Sequence, residues 1–252
     1  MSFNVDSGEL VAVVGPSGAG KTTLLRMVGG LLRPSSEEIR HRGHVIEGVP
    51  DWLAFVFQDY SKSLFPWMTN SDNVGLAIQG LPKGERRRRV REPLARVGLQ
   101  DHERHYPWEL SGGMQQRVAI ARAIVIEPAV LLMDEPFASV DALTRTKLKD
   151  MVLAPWEDLR FAALLVTQDI TEAVYMMGRI IVLSPRPSTV IADISVDLPR
   201  FAEIYGVVCS ISSRGRAAVG CPQGPWRPWD RHASGWRGGD RAAAGGLSSR
   251  RR

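Results

Sequence analysis

Residues 10–23 read LVAVVGPSGAGKTT, and no other stretch narrows the possible folds as much. The apolar run LVAVV has the character of a short buried parallel strand, a glycine loop follows it, and TTLLRMVGGLL continues with helical character. Gly15, Pro16, Ser17, Gly18, Ala19, Gly20, Lys21 and Thr22 match the pattern GxxxxGK[ST]. Glycines at these positions let backbone N–H groups turn inward around phosphate oxygens, and the following helix adds its positive N-terminus. Lys21 would reach the outer phosphates of a nucleotide, and Thr22 would hold Mg²⁺. With glycine at about 7% of average composition, such a match arises by accident roughly once in a hundred chains of this length. Placement between a strand and a helix makes accident rarer still.

A second motif strengthens that reading. Val130-Leu131-Leu132-Met133 supplies another buried strand, with Asp134 at its carboxyl end and Glu135 one step on. Asp134 stands where a Mg²⁺-bound water could be held, and Glu135 could polarise an attacking water as general base. Around these motifs strand and helix alternate. Residues 39–57 suggest small strands and turns, and 72–99 are helical with Pro93 expected to kink or split the helix. Ser111 is a good N-cap for a helix running to about Ile126. VLLMD, a helix around Ala142–Leu153, ALLVT followed by DITEAVYMM, and the strand IIVL at 180–183 complete the pattern. The expected class is α/β with a mainly parallel sheet, interrupted by a helical insert.

The net charge of +5 and the pI near 9.5 invite a nucleic-acid reading, but the charge is not spread over the chain. From Phe201 onward there are nine Arg, no Lys and three acids, so residues 1–200 carry a net −1. Arg86 to Arg89 are flanked by Glu85 and Glu92 and read as a solvated helix face. Cys209 and Cys221 both fall beyond Phe201 and form neither a CxxC pair nor a zinc set, which fits a reducing compartment. No apolar run approaches the roughly 18–20 residues that span a bilayer, and MSFNVDSGEL lacks the basic start of a secretory signal. The expectation is a soluble, cytosolic chain that meets a membrane only through a partner.

The third motif carries a family resemblance. Leu110-Ser111-Gly112-Gly113-Met114-Gln115-Gln116-Arg117 resembles the LSGGQ-like signature of ATP-binding cassette (ABC) ATPases, a branch of the P-loop nucleotide hydrolases. Physically it is a second helix N-terminus offering free N–H groups to an anion. The resemblance implies that Ser111, Gly112, Gly113 and Gln115 serve the ATP of an opposite subunit, while residues 15–23, with Thr23 last, hold their own. Gln58, ending the FVFQ segment, resembles the family glutamine that contacts Mg²⁺ and water, so Thr22, Gln58 and Asp134 form the implied metal set. Ser139-Val140-Asp141 resembles the loop that crosses the dimer interface, which places Asp141 near the partner's nucleotide. Lys21, Glu135 and Gln168 are the implied catalytic residues. Pro66-Trp67-Met68-Thr69, Asp72-Asn73-Val74, DEPFASVDALTR and VTQDITEAVYMMGRIIVLSPRP resemble the importers of nitrate, aliphatic sulfonates and taurine.

What the resemblance implies is an ATP-hydrolysing subunit at the cytoplasmic face of the plasma membrane. Its implied cofactors are ATP and Mg²⁺. Its implied partners are a second ATP-binding subunit, a transmembrane permease and, indirectly, a solute-binding protein, with no nucleic acid. Long coiled coils mark the DNA-repair members of the family, but here fewer than a hundred residues without heptads separate glycine loop and signature. The expected organisation is an ATP-binding domain over 1–200, with a helical lobe inserted at about 59–126 and a small antiparallel part, then a basic disordered tail over 201–252.

Three departures from the family pattern stand out. Only fourteen residues precede Gly15, so the adenine-stacking aromatic and its strands are expected to be missing; Phe3 is too near, and the N-terminus reads as truncated. Gln168 stands where the family has its switch histidine, so a cassette that binds ATP but turns it over weakly is the alternative reading. The resemblance ends near Pro199-Arg200, and the lysine-free sequence beyond reads either as out-of-frame translation or as a genuine basic tail.

Overall fold

The computed structural model describes residues 1–59, 63–138, 140 and 142–197, with backbone alone at 142–144. The chain divides into two units, Met1–Phe201 and Ala202–Arg252, and the tail expected at 201–252 lies outside the described residues. The elements in order are β1 (Leu10–Val14), α1 (Lys21–Val28), β2 (Arg40–His41), β3 (His44–Val45) and β4 (Leu53–Val56). Then follow α2 (Asn70–Gly75), α3 (Lys83–Arg96), α4 (Gly112–Ile124), β5 (Val130–Asp134), α5 (Ala142–Leu159), β6 (Ala162–Val166), α6 (Ile170–Met176), β7 (Arg179–Leu183) and β8 (Val190–Ser195).

Six strands form one sheet in the order β4-β5-β6-β1-β7-β8, parallel except for the β7–β8 pair. Every residue of β1 and β6 is buried, because helices cover both faces of the sheet. Side chains alternate accordingly. Val11 and Val13 meet Leu24 and Leu25 of α1, with Leu132 and Leu164, while Ala12 and Val14 face the cluster that includes Val118 of α4, Leu148 of α5 and Ala173 of α6. The β2–β3 pair is a separate two-stranded hairpin, turned at Arg42 (φ 50°) and Gly43 (φ 83°), both left-handed as a two-residue hairpin turn of matching twist requires.

Two expectations, a split at Pro93 and a helix ending near Leu153, are corrected. Pro93 does not split α3, which runs from Lys83 to Arg96 with Pro93 buried inside it. The proline leaves the Arg89 carbonyl without its helix partner, but Arg89 is on the exposed side where water can serve it, and Val97 N–H closes onto Pro93 O at 3.2 Å. In the same way α5 continues past Leu153 and through Pro155 to Leu159. Leu148, Val152 and Trp156, spaced four apart and all buried, hold that extension against the core. The antiparallel strand β8 is an addition that no periodicity in the sequence announces. Arg179 ties it down through Nε and Nη2 to the Asp193 carboxylate, at 2.7 and 2.6 Å.

The helical part between β4 and β5 is organised by Asn73 of α2, which is fully buried. Its Oδ1 accepts from Phe65 N–H at 2.8 Å, and its Nδ2 donates to the carbonyls of Phe65, Met68 and Thr69 at 3.0–3.1 Å. One amide therefore satisfies a turn that no helix or strand could. Asn73→Ala takes the side-chain partner from the Phe65 N–H and the Met68 carbonyl, while Phe65 O and Thr69 O keep backbone donors, and chemical denaturation should show a loss of about 2–3 kcal/mol.

Candidate functional site

The strand order decides which side chains can meet. β6 lies between β5 and β1, with β4 on the far side of β5. The carboxyl ends of these four parallel strands therefore carry, side by side, Gln58, then Asp134 and Glu135, then Gln168, then the glycine loop.

The loop itself is built on left-handed glycines, Gly18 (φ 80°) and Gly20 (φ 82°), each with open space where a Cβ would stand. Gly15 is a glycine for a different reason: a Cβ there would approach Leu183 O to 2.9 Å. Ala19 N–H closes the loop on Pro16 O at 3.2 Å, and Ser188 donates its hydroxyl to Ala19 O at 2.6 Å. Among the described residues no side chain caps α1, so its first N–H groups are offered at the loop, the arrangement that suits an anion. Lys21, 6% exposed, folds over the same loop and donates to Gly15 O at 2.7 Å and Pro16 O at 3.0 Å. Thr23 is exposed on the first turn of α1.

Thr22 reaches across to β5 and donates its hydroxyl to Asp134 Oδ1 at 3.0 Å. Asp134 is 4% exposed, and burial pushes its carboxyl above the usual range, partly offset by the Thr22 bond. Thr22, Gln58 and Asp134 line one cleft of about 360 Å³, with Arg26, Phe57, Asp59 and Ser63. An all-oxygen donor set of hydroxyl, amide and one carboxylate suits a small hard cation that keeps most of its other ligands from water or phosphate. A wider depression of about 500 Å³ beside the β2–β3 hairpin contains none of these residues.

Glu135 occupies a strained position. Its φ of 43° is left-handed, and its N–H donates to Val166 O at 2.8 Å, which locks it to the end of β6. Two amides then bracket its carboxylate: Gln168 Nε2 on Oε1 at 2.7 Å and Gln58 Nε2 on Oε2 at 3.4 Å. The sequence placed Gln58, Glu135 and Gln168 in one site without predicting that both glutamines would address the glutamate.

The signature residues lie elsewhere. Ser111 caps α4, accepting from Met114 N–H at 3.4 Å, and neither it nor Gly112 nor Gly113 lines the cleft. Gln115 turns back on its own lobe, donating to Pro107 O at 2.9 Å and Leu110 O at 3.3 Å. Asp141 lies outside the described residues. Phe3 packs with Val5 against the core beside α1. Sequence reasoning missed Ser188, Thr167 and Glu172, whose roles depend on contacts that no local motif announces.

A family profile described as ABC transporter matches residues 1–138. The taurine import ATP-binding protein TauB of Sinorhizobium fredii is 46% identical over 196 residues, covering 77% of this chain and 73% of that protein. The chain belongs to the ABC transporter family. Within it, the cassette is 43% identical over 201 residues to the nitrate import ATP-binding protein NrtD of a Synechocystis strain, covering 79% of this chain and 75% of that one. Among solved structures it is similar to the dimeric bacterial ABC cassette MJ0796, with a TM-score of 0.69 and 32% identity over 78% of this chain and 89% of that one. The post-hydrolysis form of that cassette, bound to ADP and phosphate, gives a TM-score of 0.67 at 31% identity. The cassette is accordingly an ATP-binding, ATP-hydrolysing protein, and among its described residues no helix is long and apolar enough to cross a membrane.

The buried Asp134 carboxylate makes this site unfavourable in the absence of ligand. A carboxyl whose folded pKa is raised loses stability as pH rises through that value, so Asp134→Asn should raise the thermal midpoint of the nucleotide-free cassette at neutral pH. The gap between variant and parent should close as pH falls below the unfolded carboxyl range, read by calorimetry across pH.

Proposed function

We propose that the cassette powers uptake of a small anion of the taurine, nitrate or aliphatic sulfonate type through a separate permease, working as a pair of cassettes at the cytoplasmic face of the membrane. The relatives' names support the solute class, and the dimeric cassette of the same fold supports the pairing. The observation that carries the hydrolytic part is the bracketed Glu135, set beside the Thr22–Asp134 pair at adjacent strand ends.

In this reading the glycine loop and Lys21 bind the phosphates, and Thr22, Asp134 and Gln58 would hold Mg²⁺. When bound, that ion neutralises charge on the phosphoryl oxygens. Glu135 takes the proton of the attacking water as general base. The two glutamine amides hold its carboxylate in one orientation by donating to one oxygen each. Ser111, Gly112 and Gly113, exposed or half-exposed at the start of α4, serve the nucleotide of the second cassette, with Gln115 fixing the turn that presents them and Asp141 crossing the same interface.

Glu135→Gln keeps the shape of the site but removes the base, so ATP-bound pairs should accumulate. Light scattering with ATP-Mg²⁺ should show a dimer for the variant, and cells carrying it should lose uptake of the anion. A variant that stays monomeric with ATP would sink the paired mechanism for this chain.

Gln168 decides between full and weakened turnover. A histidine at the end of β6 can strengthen its bonds with positive character as charge spreads over the transferring phosphoryl group, and charge-assisted bonds are about twice as strong as neutral ones. Gln168→His should therefore raise phosphate release at saturating ATP by about ten-fold, a gain of ~1.4 kcal/mol, with little change in ATP affinity. A rate that does not move would show that the amide is already competent.

A further inference from the structure

The turn that presents Gln168 is held by a buried cluster on the side away from the cleft. Thr167, 3% exposed, donates its hydroxyl to Glu172 Oε2 of α6 and accepts the Asp169 N–H at 3.1 Å. Its own N–H donates to Val13 O at 3.3 Å, so the backbone is tied on both sides of Gln168. Glu172 is itself 4% exposed, and its other oxygen stands 3.9 Å from Lys149 Nζ, a buried ammonium delivered by α5. Lys149 also lies over the Tyr175 ring, 5.2 Å from its centroid, while Tyr175 donates its hydroxyl to Asp150 at 2.8 Å. From the same helix Arg145 stands 3.7 Å from Asp169 and donates to Val140 O at 2.9 Å.

A buried ion pair is a poor way to gain stability, because desolvation offsets most of its attraction. Burial indeed pushes the Glu172 carboxyl up, against the pull of Thr167 and Lys149. What the pair supplies is geometry. The carboxylate held by Lys149 accepts from the Thr167 hydroxyl, and the same hydroxyl receives the Asp169 N–H. The turn then carries the Gln168 side chain toward the opposite face, where its amide meets Glu135 at 2.7 Å.

We propose that Thr167 is a positioning residue for hydrolysis: clamped by the Lys149–Glu172 pair, its hydroxyl sets the turn that delivers the Gln168 amide to Glu135. This rests on the reading that Gln168 acts on Glu135. If the cluster merely joined α5 to α6, its loss would lower stability and slow the reaction whatever residue stood at 168.

The test is steady-state phosphate release by the full chain with ATP-Mg²⁺, in parent and Gln168→Ala backgrounds. Thr167→Val, of equal size but without the hydroxyl, should lower kcat by about five-fold or more in the parent, with KM within about two-fold. Thr167→Ser should restore kcat to within about two-fold of the parent. In the Gln168→Ala background, Thr167→Val should change kcat by less than about two-fold, since the group it positions is gone. Equal losses in both backgrounds would overturn the inference, and so would a parent-like rate for Thr167→Val when Gln168→Ala is slow. A parent-like rate for Gln168→Ala itself would instead remove the reading of Gln168, and the inference with it. Should Thr167→Val not fold, the double change Lys149→Met with Glu172→Gln neutralises the pair without stranding a charge. It should show the same dependence on Gln168 with a smaller loss, and a loss independent of Gln168 would count against the proposal.

Discussion

One backbone hydrogen bond, from Glu135 N–H to Val166 O, fixes where Glu135 stands at the sheet edge. It extends the β5–β6 ladder one residue beyond the strand and forces Glu135 into a left-handed conformation at the sheet edge. β6 is the strand it grips, and β6 separates β5 from β1. The Thr22–Asp134 bond therefore bridges over the end of β6 rather than joining neighbours. Any shift of β6 along its axis would move Gln168, Glu135 and the metal-type oxygens relative to the glycine loop together. The full burial of β1 and β6 opposes such a shift, which is how a packed core becomes a catalytic tolerance.

The charges at that edge are arranged with restraint. Asp134 is buried and costs stability, whereas Glu135 is met only by amides among the described contacts, and Lys21 directs its donors at loop carbonyls. Among the described residues, no cationic side chain is bonded to the Glu135 carboxylate. Ser188 and Leu183 support the loop from the β7 side, so the phosphate-binding turn is held from two directions.

Much of this was readable from the sequence wherever chemistry is local. The run from Gly15 to Thr22 had to be a loop between strand and helix, because its glycines serve left-handed turns and its lysine and threonine open the helix. Asp134 and Glu135 were legible from the apolar strand that ends in them, and Ser111 from its place before a helix. Contacts between distant segments were not legible. The strand β8 depends on Arg179 pairing with Asp193, and the length of α5 depends on Trp156 finding a core that can tolerate Pro155. Pro93 misled for a related reason: the bond it removes lay on a wet face, which periodicity alone does not register. Gln115 drew attention as part of a motif, yet its amide serves the turn before its own helix. Thr167, Glu172 and Lys149 sit in three different segments, and nothing in their spacing marks them as one cluster.

The glutamine at the end of β6 also fixes what this site cannot sense. An imidazole in that position would titrate near neutrality, and its charge would follow modest acidification of its surroundings. An amide has no proton to exchange over that range. A cassette built this way is, at this position, deaf to proton concentration.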